Sequence, residues 1–166
     1  MASVTGRTTV WVLGDQLNTR IGALAAADPS TTTVLLIESD RQLGPRRHRQ
    51  RLHLVIAAMR RFAEELRSHG FEVDLRRAAT FDDGVAQHRS EHRPARIIVT
   101  EPNTPTARAT ARRIGAEIVR SDQFLCHPED FARWAEGRKV LRMEDFYRWQ
   151  RQRLDVLIDH RDREPV

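Results

Sequence analysis

Five short β-rich runs, separated by stretches with helical periodicity, constrain this 166-residue chain more than any other feature. They cover residues 10–13 (VWVL), 33–38 (TVLLIE), 71–75 (FEVDL), 96–100 (RIIVT) and 116–120 (AEIVR). The second run is almost continuously apolar, which suits a parallel strand buried on both faces. A long helix is expected over about residues 45–69. Its apolar positions, Leu52, Val55, Ile56, Met59, Phe62, Ala63 and Leu66, recur by threes and fours, and Gly70 stands where a helix ends. Shorter helices are expected over residues 21–27, 81–92, 105–114, 130–136 and 143–159, with Pro105 opening and Gly115 closing the third of these. Such alternation implies an α/β fold: a doubly wound, five-stranded, Rossmann-like parallel sheet with helices on both faces.

The length suits one domain with a real core. No apolar run approaches a membrane span, and the opening residues, MASVTGRTTVWV, hold no apolar signal core, so a cytoplasmic protein is expected. Cys126, the single cysteine, allows no intrachain disulfide and no cysteine-built zinc or iron–sulfur site within the chain. A buried structural thiol is the reading for it. The net charge is +5, and Lys139 is the only lysine among the basic residues. Arginine suits phosphate and stacking contacts, so a nucleic-acid partner is one reading of this charge. A solvated basic surface is the other, and charge alone favours it.

Ligands of doubly wound sheets sit beyond the carboxyl ends of the strands, where the strand order reverses. Residues 14–17, 38–40 and 101–103 follow three of the runs, carry polar groups and would share that rim. Neither G-x-G-x-x-G nor G-x-x-x-x-G-K-[ST] is present. Gly14 stands alone, so a flat heterocycle suits the GDQ loop better than a diphosphate does. Gln16 offers a donor and an acceptor, and ionised Asp15 offers acceptors only. Against this stands a plainer role, in which Asp15 or Gln16 caps the following turn; the motif alone gives both roles equal weight.

Elsewhere the chemistry is sparse. His48 and His53 are five apart and share no helix face. His88 and His92 have i, i+4 spacing, but with no third ligand evident nearby an exposed polar face is preferred to a metal site. Cys126 and His127 are adjacent, which is the wrong arrangement for a nucleophile and its base. The segment 46-RRHRQR-51 opens the long helix, where positive charge opposes the macrodipole. An acid such as Glu38 or Asp40, an anionic ligand or an anionic partner would compensate it; a solvated arginine cluster is the alternative. In the last helix Leu154, Leu157 and Ile158 share one face while Phe146, Tyr147 and Trp149 almost surround the axis. That excess implies a second surface to cover, by a further domain or a partner chain.

In order along the chain, VLGDQL (12–17), LLIESD (35–40), RHRQRLHLVIAAMRRFAEELR (47–67) and TEPN (100–103) resemble the photolyase-related proteins, above all the iron–sulfur bacterial cryptochrome and prokaryotic (6-4) photolyase group. Residues 124–158 resemble the same group through F-x-x-W, G-R-K and M-E-x-F-Y-R. The resemblance implies an N-terminal α/β domain that holds an antenna chromophore, 6,7-dimethyl-8-ribityllumazine or a deazaflavin. In complete members a larger helical domain then holds FAD and a four-cysteine iron–sulfur cluster and repairs UV-damaged DNA. Carried over, Gly14, Asp15 and Gln16 would meet the chromophore and Glu38 would line it. His48 and Val55 would close the side, with Glu101 at the same rim.

On this reading residues 1–142 form the antenna-binding domain, and residues 143–166 a C-terminal helix and tail that begin the interdomain connection. The FAD and iron–sulfur catalytic domain is absent: one cysteine cannot supply four ligands, and no residues remain for a flavin site. The chain is then not catalytic alone. It would be a split or shortened antenna protein linked to DNA repair or blue-light sensing, with a separate FAD-domain chain as partner through the C-terminal helix and weak DNA contact through its arginines. The second reading is a chromophore-free DNA- or protein-interaction module that kept the fold. A nucleotide-binding protein of the universal-stress type is the third, and the missing phosphate-binding glycines speak against it.

Overall fold

The computed structural model of the chain describes residues 6–42, 44 and 48–158. Pro45, Arg46 and Arg47, where the long helix was expected to begin, and the tail from Asp159 lie outside the described residues. The chain divides into two compact units, residues 1–122 and 123–166. Among the described residues no helix is long and apolar enough to cross a membrane.

The first unit runs β1 (Thr8–Val12), α1 (Gly22–Ala25), β2 (Thr32–Ser39), α2 (Arg49–Ser68), β3 (Glu72–Ala78), α3 (Phe81–His92), β4 (Arg96–Thr100), α4 (Pro105–Ile114) and β5 (Glu117–Val119). All strand pairs are parallel and the sheet order is β3-β2-β1-β4-β5. Alternation along each strand splits the core into two layers. Val10, Val12, Val34 and Leu36 pack against Ala23 and Leu24 of α1 and against Met59, Phe62, Ala63 and Leu66 of α2. Trp11, Leu13, Leu35, Ile37, Ile97 and Val99 pack on the other face against Val85 of α3 and Ala111 and Ile114 of α4. β2 is buried along its whole length, as a strand covered on both faces must be.

Local chemistry sets the helix ends. Thr80 and Asp83 form a reciprocal capping box at the start of α3. Thr104 accepts from the Ala107 N–H at the start of α4, Pro105 opens that helix, and Gly115 closes it in the left-handed region. Gly22 has φ +49°, and a Cβ there would collide with the Thr100 side chain, so only glycine fits.

His88 departs from the expected exposed polar face. It is fully buried, and its two ring nitrogens meet Thr9 Oγ1 at 2.8 Å and Asp74 Oδ2 at 2.6 Å. β1 and β3 thus supply both partners that a buried imidazole needs. His92 stacks on His88 with ring centroids 4.5 Å apart. Arg76 grips both oxygens of Asp74 and also reaches Glu91. Asp74, His88 and His92 place three donor atoms within 4.8 Å of one another, so a third ligand-type residue does exist beside the histidine pair. Both nitrogens of His88 and both oxygens of Asp74 are already engaged, however, which makes this a hydrogen-bonded network fastening α3 to the sheet. Burial pushes the Asp74 carboxyl up, but the hydrogen bonds from His88 and Arg76 outweigh it and hold the group below its ordinary value of 3.8.

The second unit contains α5 (Pro128–Ala135) and α6 (Met143–Leu154). Its aromatic rings pack on one another: Trp134 lies 5.0 Å from Phe146 and 6.3 Å from Trp149, and Phe131 lies 5.3 Å from Phe146. Arg138 stacks over Trp134 at 4.6 Å. Two of the three aromatics crowded on the last helix therefore face α5, while Tyr147, with Met143 and Leu157, is exposed. α6 stops at Leu154, short of the expected residue 159, because Asp155 turns left-handed and caps it. Cys126 is partly exposed, not a buried thiol.

The network around His88 yields two expectations. His88→Leu removes the shared partner of Thr9 and Asp74 and should cost about 2–4 kcal/mol in urea unfolding. The Asp74 carboxyl titrates lower in the folded chain than in the unfolded one. Its stabilisation is therefore full above the unfolded value and is lost as pH falls through the folded value. Asp74→Asn should flatten the acid limb of the stability–pH curve below about pH 4, where unfolded carboxylates protonate. An unchanged limb would place the acid sensitivity elsewhere.

Candidate ligand site at the carboxyl rim

The strand order reverses between β1 and β4: the chain builds β2 and β3 on one side of β1, then crosses back to place β4 and β5 on the other. A crevice opens at the carboxyl end of such a pair because the connections leave in opposite directions. A cavity of about 510 Å³ lies there. Leu13, Gly14 and Asp15 reach it from the end of β1, and Arg51, Leu52 and Val55 from the first turns of α2. Phe81 lines it from the start of α3, and Asn103, Thr104 and Ala107 from the start of α4.

Each residue of the GDQ loop has its own task. A Cβ on Gly14 would stand 3.3 Å from both Val55 Cγ1 and Met59 Sδ, so the bare glycine lets α2 approach the end of β1 closely. Asp15 lines the cavity and accepts from Asn103 Nδ2 at 2.9 Å, a bond that spans the crevice. Gln16 is 3% exposed and lies beneath. Its Nε2 donates to the carbonyls of Glu101 at 2.9 Å and Thr100 at 3.3 Å, tying the end of β1 to that of β4. Its Oε1 is buried without a hydrogen-bond partner.

The remaining expected site residues stand off the cavity lining. Glu38 is buried at the end of β2 and holds Arg60 with two bonds, of 2.7 and 3.0 Å. That carboxylate raises the Arg60 guanidinium above its ordinary range. His48 occupies the N-cap position of α2, exposed and without a side-chain cap bond. Glu101 pairs with Arg108 at 2.8 Å. The cavity thus gathers Gly14, Asp15 and Val55; Gln16 supports it from below. Arg51, Leu52, Phe81 and Asn103 line it too without having been expected as site residues, although Arg51 belongs to the basic 46–51 segment and Asn103 to the polar 101–103 rim. The signals for them are positional: Leu52 precedes Val55 by one helical turn, Phe81 opens a helix, and Asn103 ends the TEPN turn at the same rim.

Chemically the lining is a mixed wall. Leu13, Leu52, Val55, Phe81 and Ala107 are apolar; Asp15, Asn103 and Thr104 are polar; Arg51 is cationic. Phe81 is braced edge-on by Trp11, with centroids 5.3 Å apart. Among the described residues the lining holds no histidine, no cysteine and a single carboxylate, Asp15. The arrangement can bind and orient a ligand. A second cavity, of about 570 Å³ at the amino edge of the sheet, is bordered by Arg89, Arg93, Arg96 and Glu117.

Comparison with known proteins places this geometry in context. Residues 10–166 match the family described as deoxyribodipyrimidine photo-lyase-related protein. A (6-4) photolyase from Agrobacterium fabrum (strain C58) is 36% identical over 163 residues, which cover 90% of this chain and 32% of the relative. The chain therefore spans about a third of the length of that relative. The likeness carried by the GDQ, ESD, TEPN and M-E-x-F-Y-R segments is borne out at the level of the family. The chain belongs to the photolyase-related protein family.

Proposed function

We propose that the rim cavity binds a flat heterocyclic chromophore of the ribityllumazine or deazaflavin type, and that the chain is the light-collecting part of a photolyase-related protein. The observation that carries this is the cavity itself: about 510 Å³ at the β1/β4 crevice, with apolar walls and one Asp–Asn pair. That volume lies within the range of small-molecule sites. A pyrimidinedione edge alternates carbonyl acceptors with an N–H donor, and ionised Asp15 can accept that N–H while the Asn103 carboxamide donates to a carbonyl. Val55, Leu13 and Phe81 supply flat apolar contact for ring faces and exclude water. Gln16, spent on the strand tie, keeps the Asp15 and Asn103 loops in register. A bound lumazine or deazaflavin would absorb near-UV or blue light and pass the energy on. Light-driven DNA repair belongs, on this reading, to the two thirds of the relative that this chain does not span. The exposed Met143, Tyr147 and Leu157 of the second unit are proposed as the contact for that flavin-bearing part.

A chromophore-free DNA- or protein-interaction module is the second reading. The arginines bordering the amino-edge cavity, Arg89, Arg93 and Arg96, favour it. Absorption separates the two. The purified protein should carry, or take up when supplied, a lumazine or deazaflavin with a near-UV or blue band and a releasable mass. Val55→Trp should fill the cavity and abolish that band while leaving the fold intact by circular dichroism. Undiminished absorption in the variant would place the chromophore elsewhere. A wild-type protein that takes up neither compound, yet binds DNA with steep salt dependence, would establish the second reading instead.

A further inference from the structure

Trp11 is a costly choice for an apolar layer. Its side chain is 2% exposed, and the sheet register sets it between Leu35 of β2 and Val99 of β4. Its indole Nε1 is buried without a hydrogen-bond partner, where a buried tryptophan usually finds one. A phenylalanine would fill the layer and leave no orphaned donor. A second observation concerns the rim. Leu13, two residues further along β1 and in the same core layer, lines the cavity, so Trp11 stands about 7 Å below it along the strand. The indole also packs edge to face with Phe81, with ring centroids 5.3 Å apart at 71°, and Phe81 is the aromatic wall of the cavity. A single layer of side chains therefore separates the indole from the cavity.

On the reading that this cavity holds a flat chromophore, we propose that Trp11 is its ultraviolet donor: the excited indole passes its energy through space to the bound ring. The chain then collects ultraviolet light that the ring absorbs weakly, as well as the ring's own band. Resonance transfer needs two conditions, spectral overlap and proximity. Tryptophan emission runs into the near-ultraviolet band in which a lumazine or deazaflavin absorbs. Transfer falls steeply with distance, and one layer of side chains is close. The neighbours of Trp11 in its layer are apolar, which limits competing loss of the excitation. An indole with an unbonded N–H in such surroundings emits at the short-wavelength end of its range, so Trp11 also has a recognisable signal. No bond forms or breaks, and no electron or proton moves; only excitation is exchanged. Trp134 likewise has a buried, unpartnered Nε1, but it belongs to the second unit, where Arg138 stacks over its ring.

The test uses the full chain, freed of any bound small molecule and then loaded with 6,7-dimethyl-8-ribityllumazine or a deazaflavin. Both rings fluoresce, so the excitation spectrum of the ring's emission is compared between the free and the bound state. Binding should add a tryptophan band to that spectrum. Trp11→Phe should remove most of the added band when the signal is normalised to the amount of ring bound. Phenylalanine keeps an aromatic contact for Phe81 and removes the orphaned donor. A second measurement needs no substitution. As the cavity of the wild-type protein fills, the short-wavelength part of its tryptophan emission should fall while the ring's emission rises. A bound ring with no added tryptophan band, a band of the same size in Trp11→Phe, or short-wavelength emission that keeps its intensity at saturation would overturn the role of Trp11 and leave the heterocycle site standing. Binding of neither compound would overturn the heterocycle site itself, and this inference with it.

Discussion

The first unit depends on one constraint: a parallel sheet whose strand order reverses between β1 and β4 must be held together where its connections diverge. At the amino side, ladder bonds do this. At the carboxyl rim the loops part, and helix starts and loop residues line the crevice. Gln16 answers the problem with one carboxamide that donates to two backbone carbonyls at the end of β4, those of Thr100 and Glu101. The remaining acceptor, Oε1, is left without a partner, a cost of about 1–3 kcal/mol for a buried polar atom. The crevice is therefore a fixed feature, set by two loops whose separation the Gln16 side chain determines.

Charge is distributed by the same logic of pairing. Most acids facing the sheet ends have an arginine: Glu38 with Arg60, Asp74 with Arg76, Asp82 with Arg113, Glu101 with Arg108. The pairs at Arg60 and Arg113 have guanidinium groups more than half exposed, so their energetic worth is small. Their effect is geometric. They fix long side chains and leave particular arginines, such as Arg51, outside any pair. The buried network of Thr9, His88 and Asp74 differs, because its groups are desolvated and each would be orphaned by loss of another.

The sheet and its helices were legible in the sequence because burial writes a period into it. β2 shows as a continuous apolar run and α2 as a stripe from Leu52 to Leu66. β4 and α4 begin and end where strand composition, Pro105 and Gly115 place them. β3 runs on to Ala78, beyond the end of its alternation, since Arg76 and Arg77 are paired charges that read as loop residues. His88 was illegible for a related reason. Its partners lie 79 and 14 residues away, and a histidine on a polar helix shows no sign that two strands will satisfy it. The rim was legible as a place, and Gly14, Asp15 and Val55 do line the cavity there. The division of labour among its residues was not, because it turns on contacts between loops 84 to 88 positions apart.

That division explains why the carboxamide on the cavity wall comes from Asn103 and not from Gln16. The two amides carry the same donors and acceptor and sit at opposite banks of one crevice. Gln16 is one methylene longer and starts deeper, immediately after the turn closed by its own N–H to the Leu13 carbonyl. From there its side chain reaches across under the loop to the β4 carbonyls. Asn103 is shorter, exposed and one residue before the N-cap of α4, so it remains at the surface and meets Asp15 there. Exchanging the two side-chain lengths would leave the lower tie unmade and push the upper amide past Asp15. The depth at which each amide leaves the backbone therefore assigns one to the scaffold and the other to the cavity wall.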